Sequence, residues 1–292
     1  MSLAPQAAGG KLEGSRRDSA WAILSGGISH WWRKFPLLAT VAAAVWVPFY
    51  VVQFLLAVIL GVPQHSRPSS DPAIVFELAA YGLMTLVLLT VALALSQAAL
   101  ILAVATDEAL SSGELLRRAT MRLGPLLLAF LLVVVAGVVV VALVIAAGYA
   151  LALVADGQAG AVLLMMAVAV VAVPALVLVR FTIVPQLVVL EEATAGTALR
   201  RSWRLLGHRY WTTVVLVLVL GVVGFLGNQL LTLPAQLVTA AGAVGQLALQ
   251  TLAAALGAVV LAGLVQSVFT RLYSSVADEK RQRTDQAGPD HL

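Results

Sequence analysis

Cysteine is absent from the 292-residue chain, and charged residues make up only 11% of it. The missing cysteines exclude a disulfide framework and thiolate chemistry. The scarcity of charge excludes an ordinary soluble domain, in which about a quarter of the residues are charged. The four histidines are scattered, and no two of them stand at the spacing of metal ligands.

Catalytic motifs are equally scarce. The sequence contains no HExxH, no phosphate-binding GxxxxGK[ST] loop and no GxSxG elbow. Its adjacent carboxylates, Asp107–Glu108 and Glu191–Glu192, point in different directions on a helix and so cannot share a substrate. We therefore expect no catalytic residues, no metal and no cofactor, and we interpret the protein as a non-enzyme.

Apolar residues are abundant, at 61% of the chain. Runs of about 20 apolar residues or more predict membrane-spanning helices. The fold class is therefore all-α, a polytopic membrane protein with six transmembrane helices. The predicted spans cover 37–62, 72–105, 125–154, 161–180, 212–233 and 245–271.

The basic residues predict the orientation of these spans. If both termini are cytoplasmic, seventeen of the eighteen lysines and arginines lie in inner segments, and Arg67 alone lies outside. Such a bias predicts cytoplasmic N- and C-termini in a multi-pass protein of the plasma membrane. The net charge of the chain is +4, and its basic residues lie beside hydrophobic segments. We therefore expect the protein to bind anionic lipids of the inner leaflet and not nucleic acid.

Three basic segments predict cytoplasmic interfacial helices near 21–35, 108–123 and 192–210. On a helix, the last segment places Leu199, Trp203, Leu206 and Tyr210 on one side and Arg200, Arg201, Arg204 and His208 on another. Tryptophans beside these segments (Trp31, Trp32, Trp203 and Trp211) are interpreted as interface anchors.

An internal repeat is visible at an offset of 83 residues. It aligns Glu108 with Glu191 and Arg117–Arg118 with Arg200–Arg201. We therefore predict three repeats, each an interfacial helix followed by a two-span hairpin. The predicted domain plan is a disordered cytoplasmic tail at 1–20, a six-helix transmembrane domain at 21–275 and a disordered cytoplasmic tail at 276–292.

A family resemblance rests on residues between two of the spans: Arg180, Pro185, Glu191, Ala198–Leu199, Ser202–Trp203 and Leu206. In this pattern the chain resembles the membrane domain of glycerophosphoryl diester phosphodiesterases, which is also similar to several six-span bacterial families of uncertain function. The resemblance implies the same architecture over about 21–275. In the named enzymes a separate soluble barrel performs the hydrolysis, and these 292 residues contain no such barrel, so we do not expect that activity.

The leading functional hypothesis is a non-enzymatic membrane module whose basic cytoplasmic rim binds anionic lipid or a partner protein, through Arg117, Arg118, Arg180, Arg200, Arg201 and Arg204. Glu108 and Glu191 are expected to form structural ion pairs with arginines, which could be those of another repeat. Arg180 is expected either to reach the lipid headgroups or to pair with Glu191 across the bend at Pro185. The alternative is a small transporter or exporter component with an outward-facing polar cavity lined by Gln53, Glu77, Asn228, Gln229 and Gln250. The same polar residues also suit ordinary interhelical hydrogen bonding. The ligand, the partner protein and the oligomeric state stay open.

Overall fold

A computed structural model describes five stretches of the chain, residues 19–60, 72–106, 110–154, 159–237 and 242–286. Within these stretches the backbone forms nine α-helices and no strand. The helices are α1 (Ala20–Ile59), α2 (Pro72–Ala105), α3 (Ser112–Met121), α4 (Leu123–Val154), α5 (Ala159–Leu178), α6 (Val184–Leu190), α7 (Ala195–Leu205), α8 (Tyr210–Leu237) and α9 (Gly242–Gln286). Six segments are long and apolar enough to cross a membrane, which confirms the predicted all-α, polytopic membrane fold.

The fourth membrane-spanning segment is interrupted. After α5, the chain makes a 3-10 turn at Val179–Phe181 and resumes as the short helix α6. The apolar segment Val168–Leu190 runs across this break. Pro185 lies in the first turn of α6, where its missing N–H would have no partner within the helix. The interruption allows α6 to be buried among other helices at the end of the bundle.

The first basic segment does not form the separate interfacial helix that was predicted at 21–35. It is the first part of α1, which begins at Ala20 and continues through Pro36 and Pro48. A proline inside a helix removes one backbone hydrogen bond. Packing against α9, the most extensive helix–helix contact among the described residues, keeps α1 continuous.

The sequence predicted disordered tails at 1–20 and 276–292. The second prediction is wrong as far as Gln286, because α9 continues to that residue. Most residues of this extension favour helices, and the Glu279 carboxylate forms an ion pair with Arg209 (3.1 Å). Residues 1–18 and 287–292 lie outside the described part of the chain.

The most tightly packed core lies at one end of the bundle, where α1, α4 and α8 begin and α2, α5 and α9 end. We call it the basic end. There Lys34 of α1 donates from Nζ to the carbonyl oxygens of Ala103, Val104 and Thr106 (3.3, 3.3 and 2.8 Å), which have no partner within α2. Toward the opposite end, α4 and α8 expose apolar side chains, as expected of helix faces that contact lipid tails.

The two other predicted interfacial helices are present but shorter. The segment 108–123 contains α3, and the segment 192–210 contains α7, which ends before the turn that leads into α8. Their N-cap residues, Ser111 and Thr194, are 83 residues apart, the same offset as the sequence repeat. Because α1 is one continuous helix, the organisation into three repeats stays a prediction.

Candidate functional site

Helix α7 carries the densest group of basic side chains at the basic end. Its buried face consists of small residues, Ala195, Ala198 and Ser202, which allow the helix to lie close to the interrupted fourth span. The Ser202 hydroxyl donates to the carbonyl oxygen of Arg180 (2.6 Å), at the 3-10 turn. The opposite face exposes Arg200 and, with it, the other arginines of the helix. A short helix is thereby fixed with its charges outward.

Arg180 is held by aromatic rings, and it does not form the ion pair with Glu191 that was one of its two expected interactions. Its guanidinium carbon lies 4.4 Å from the ring centroid of Trp203 and 5.0 Å from that of Tyr210. The Tyr210 hydroxyl donates to the carbonyl oxygen of Leu176 (3.0 Å), which fixes its ring beside the turn. Cation–π contacts of this kind stabilise a cation that has left bulk water. Arg180 therefore joins the interrupted span to α7 and α8.

The adjacent carboxylates at the end of α6 point in different directions, as predicted. Glu191 accepts hydrogen bonds from Arg201 of α7 and from the Tyr273 hydroxyl of α9. Glu192 pairs with Arg122, which follows α3. Glu191 thus pairs with Arg201, ten residues along the chain, and not with Arg180. Together the two acids connect α6 to three other parts of the basic end.

Glu192 has a left-handed backbone with φ of 56°, a conformation that usually favours glycine. It is the second residue after α6, where helices commonly end in this way. The Ala193 N–H donates to the carbonyl oxygen of Leu187 (3.3 Å), six residues back, which closes the helix end. Glycine would adopt this backbone conformation at lower cost, but it has no side chain to form the ion pair that Glu192 makes with Arg122.

In helix α3, two of the predicted lipid-binding arginines share one acid. Glu114 accepts hydrogen bonds from Arg117 Nε (3.1 Å) and Arg118 Nε (3.1 Å). These hydrogen bonds, that of Arg117 first, hold the pKa of the Glu114 carboxyl below its ordinary value. The backbone N–H of Glu114 in turn donates to the Ser111 hydroxyl (3.3 Å), which caps the helix. The other predicted acid of this region, Glu108, lies outside the described residues.

A groove of about 610 Å³ separates α7 and its following turn from the last part of α9. We call it the basic groove; it is lined by Arg201, Arg204, Leu205, His208, Arg209, Val276 and Glu279. Arg209 is the most enclosed of its arginines, with 14% of its side chain exposed. Leu205 and Val276 supply apolar surface, and three arginines against one glutamate make the lining cationic. This combination suits a ligand with an anionic and an apolar part.

Comparison with known proteins assigns the chain to a family. Residues 19–277 match the sequence model of one family, a domain of unknown function named DUF7847. The chain belongs to the DUF7847 family. No curated protein and no solved structure matches it.

In this DUF7847 chain, the matched region includes every lining residue of the basic groove except Glu279, which lies two residues beyond it. Sequence reasoning had selected Arg201 and Arg204 but not Arg209 or Glu279 as site residues. The Arg209–Glu279 ion pair joins residues far apart in sequence, and Glu279 fell in a segment that was predicted to be disordered. His208 was placed on the basic side of the predicted helix but was not selected.

The polar cavity that was predicted on the outer side is only partly assembled in the DUF7847 chain. At the end of the bundle opposite the basic end, a cleft of about 170 Å³ is lined by Gln53 and Gln250, together with two tyrosines. Glu77, Asn228 and Gln229 are exposed and are not among its lining residues.

The depth of this cleft follows from the helix rise. Gln53 is 19 residues from Lys34 along α1, which corresponds to about 28 Å at 1.5 Å per residue. That is close to the full hydrocarbon thickness of about 30 Å. The cleft therefore lies at the end of the bundle opposite Lys34, about one hydrocarbon thickness away along α1.

Metal-ligating side chains are not gathered anywhere in the described part of the DUF7847 chain: no group of three or more His, Cys, Asp or Glu residues could hold an ion. Four acids at the basic end, Glu114, Glu191, Glu192 and Glu279, are bound to arginines, and Glu191 is also bound to one tyrosine. The guanidinium groups that line the groove carry N–H donors suited to anions.

Proposed function

We propose that the chain is a non-enzymatic integral membrane module that binds anionic lipid through its basic end. The observation that carries this proposal is the basic groove, because it places cationic side chains beside apolar surface. Exposed tryptophans occur at the same end: Trp32 is 71% exposed and Trp211 is 72% exposed. Tryptophans that are exposed next to arginines are typical of the headgroup layer of a membrane.

The basic end is proposed to face the cytoplasm, with both termini inside and the protein in the plasma membrane. The support is the distribution of lysine and arginine along the sequence, which leaves Arg67 alone on the outer side. Anionic lipids are concentrated in the cytoplasmic leaflet, and each nearby basic residue contributes about 1 kcal/mol of attraction. The expected orientation and the proposed ligand therefore agree.

A partner protein is a second candidate ligand of the basic end, since exposed arginines such as Arg200 also suit an acidic protein surface. Transport is the weaker alternative. It would need a polar path through the bundle, and the cleft at Gln53 and Gln250 lies near one surface only. The resemblance to the membrane domain of glycerophosphoryl diester phosphodiesterases also stays a proposal. It implies no hydrolysis by this chain, because in those enzymes the soluble barrel performs it.

The test removes two exposed arginines together, Arg200→Gln with Arg204→Gln. Neither arginine forms an ion pair with a described residue, so the loss should not disturb the fold. We expect the purified full chain to retain several-fold less anionic lipid, measured by native mass spectrometry, because two uncompensated charges are gone.

The matched control is Arg117→Gln with Arg118→Gln, which removes the same charge from arginines that are already bound to Glu114. It should lower lipid retention less. If lipid retention and the recovery of partner proteins are both unchanged when Arg200 and Arg204 are replaced, the basic end only sets topology and the proposal is wrong.

A further inference from the structure

The three arginines of the basic groove differ in what they already bind. All three guanidinium nitrogens of Arg209 are occupied: two contact Glu279 (both 3.1 Å) and the third donates to Ser275 (3.1 Å). Arg201 uses one nitrogen for Glu191. The guanidinium group of Arg204 has no hydrogen bond or ion pair with any residue that the structure describes. Each nitrogen of Arg209 is therefore held by a neighbour in the wall, whereas Arg201 has two guanidinium nitrogens and Arg204 three with no partner among the described residues.

Arg201 and Arg204 are three positions apart on α7 and so lie on one face of the helix. A guanidinium is a planar fork of N–H donors that matches the oxygens of a phosphate group and can bind two of them at once. Two such forks on adjacent turns can grip one phosphate from two sides. His208, in the turn after α7, lines the same groove.

We infer that the basic groove is a discrete site for one phosphate group, bound by Arg201 and Arg204, with Leu205 and Val276 against the apolar part of the ligand. The inference rests on the proposed function, which requires only that the basic end attract anions. The inference goes further, because it assigns phosphate binding to one place in the groove and not to the basic end as a whole. A phospholipid headgroup and a free phosphate compound share this chemistry.

Glu191 is expected to lower the affinity of the site for phosphate. Its carboxylate is bound to Arg201 and therefore competes with any phosphate for the same guanidinium. Its neighbour Glu192 has the same charge but is bound to Arg122, which does not line the groove. The two acids thus form a matched pair, in which only the first should influence a phosphate in the groove.

The first experiment compares Arg204→Gln with Arg200→Gln in the purified full chain in neutral detergent. Both residues are exposed on α7, and only Arg204 lines the groove. Phosphatidic acid is titrated, and the first binding step is measured by native mass spectrometry. We expect Arg204→Gln to weaken this step about tenfold, which corresponds to about 1.4 kcal/mol. Arg200→Gln should change it by about twofold at most, as for a charge outside the site.

Equal losses in the two variants would mean that the rim attracts lipid diffusely, which overturns the discrete site but leaves the proposed function intact. No loss in either variant overturns both.

Equal binding of diacylglycerol, the same lipid without its phosphate, would overturn the role of the phosphate. If inorganic phosphate displaces phosphatidic acid, the site exists and takes a soluble phosphate compound. If short-chain phosphatidic acid displaces it and inorganic phosphate does not, the site exists and takes a lipid.

The second experiment compares Glu191→Gln with Glu192→Gln by the same titration. We expect tighter binding, by several-fold, only for Glu191→Gln, because it removes the carboxylate that competes for Arg201. Circular dichroism checks that both variants stay helical. If the two substitutions strengthen binding equally, the effect reflects net charge and the assigned site is wrong.

Discussion

Replacing Gly27 by alanine tests the closest approach between the two longest helices. On α1, a Cβ added at Gly27 would lie 2.7 Å from the Val268 side chain and 2.9 Å from the Val268 Cα atom of α9. The second of these atoms belongs to the backbone and cannot rotate away. Because α1 and α9 share the most extensive helix contact in the described chain, separating them would disturb the packing of the basic end.

The magnitude follows from two opposing effects. Overpacking a close helix contact costs about 1–3 kcal/mol. Alanine is favoured over glycine inside a helix by about 1 kcal/mol. Gly82→Ala on α2 isolates the second effect, since nothing lies within 4 Å of its added Cβ. We therefore expect Gly27→Ala to be less stable than Gly82→Ala by about 1–3 kcal/mol, the size of the packing cost alone.

The assay is SDS-induced unfolding of the purified protein in mixed micelles, followed by circular dichroism. Gly26→Ala is a further control, because the three atoms nearest its added Cβ all belong to the Arg271 side chain, which can move. It should cost less than Gly27→Ala. If Gly27→Ala and Gly82→Ala unfold at the same SDS fraction, α1 and α9 are not in the close contact described, and the reasoning fails.

Two further predictions concern polar groups at the basic end. Gln186 and Gln266 are buried with their amides 3.3 Å apart, so either Gln→Leu substitution alone should cost about 1–3 kcal/mol. The double substitution should cost less than the sum in the same unfolding assay, and additive losses would show that the amides are not partners. Because its pKa is lowered, Glu114 stabilises α3 above its unfolded pKa, and this stabilisation is lost as the pH falls through the lower folded value. An NMR titration of its carboxyl should therefore give a midpoint below 4.5, and a midpoint at or above 4.5 would refute the contacts with Arg117 and Arg118.

Where charge and apolar surface alternate locally, the sequence predicted the structure well. The span at 72–105 has the bounds of α2, since a long apolar run has one stable arrangement in lipid. The short helices α3 and α7 also lie within their predicted segments, because each carries its own amphipathic pattern, and Ser111 caps α3.

Partners at the candidate site were harder to predict. From the sequence, Arg180 had two expected interactions, either with the lipid headgroups or with Glu191 across the Pro185 bend. In the structure, Arg180 lies against the rings of Trp203 and Tyr210, and Glu191 binds Arg201 and Tyr273. A guanidinium group can pair with a carboxylate or lie against an aromatic ring, so its partner depends on which side chains the fold brings near it.

By itself, then, the sequence determined that the chain is helical, that six segments are long and apolar enough to cross a membrane, and that one end is basic, because hydrophobic length and charge are local properties. Only the tertiary structure decided that α1 is continuous from Ala20, that α9 reaches Gln286, and that a groove opens between α7 and α9. Each of these depends on packing between segments far apart in the chain. The Arg209–Glu279 ion pair, which forms one wall of the groove, exists only because that packing brings its two residues together.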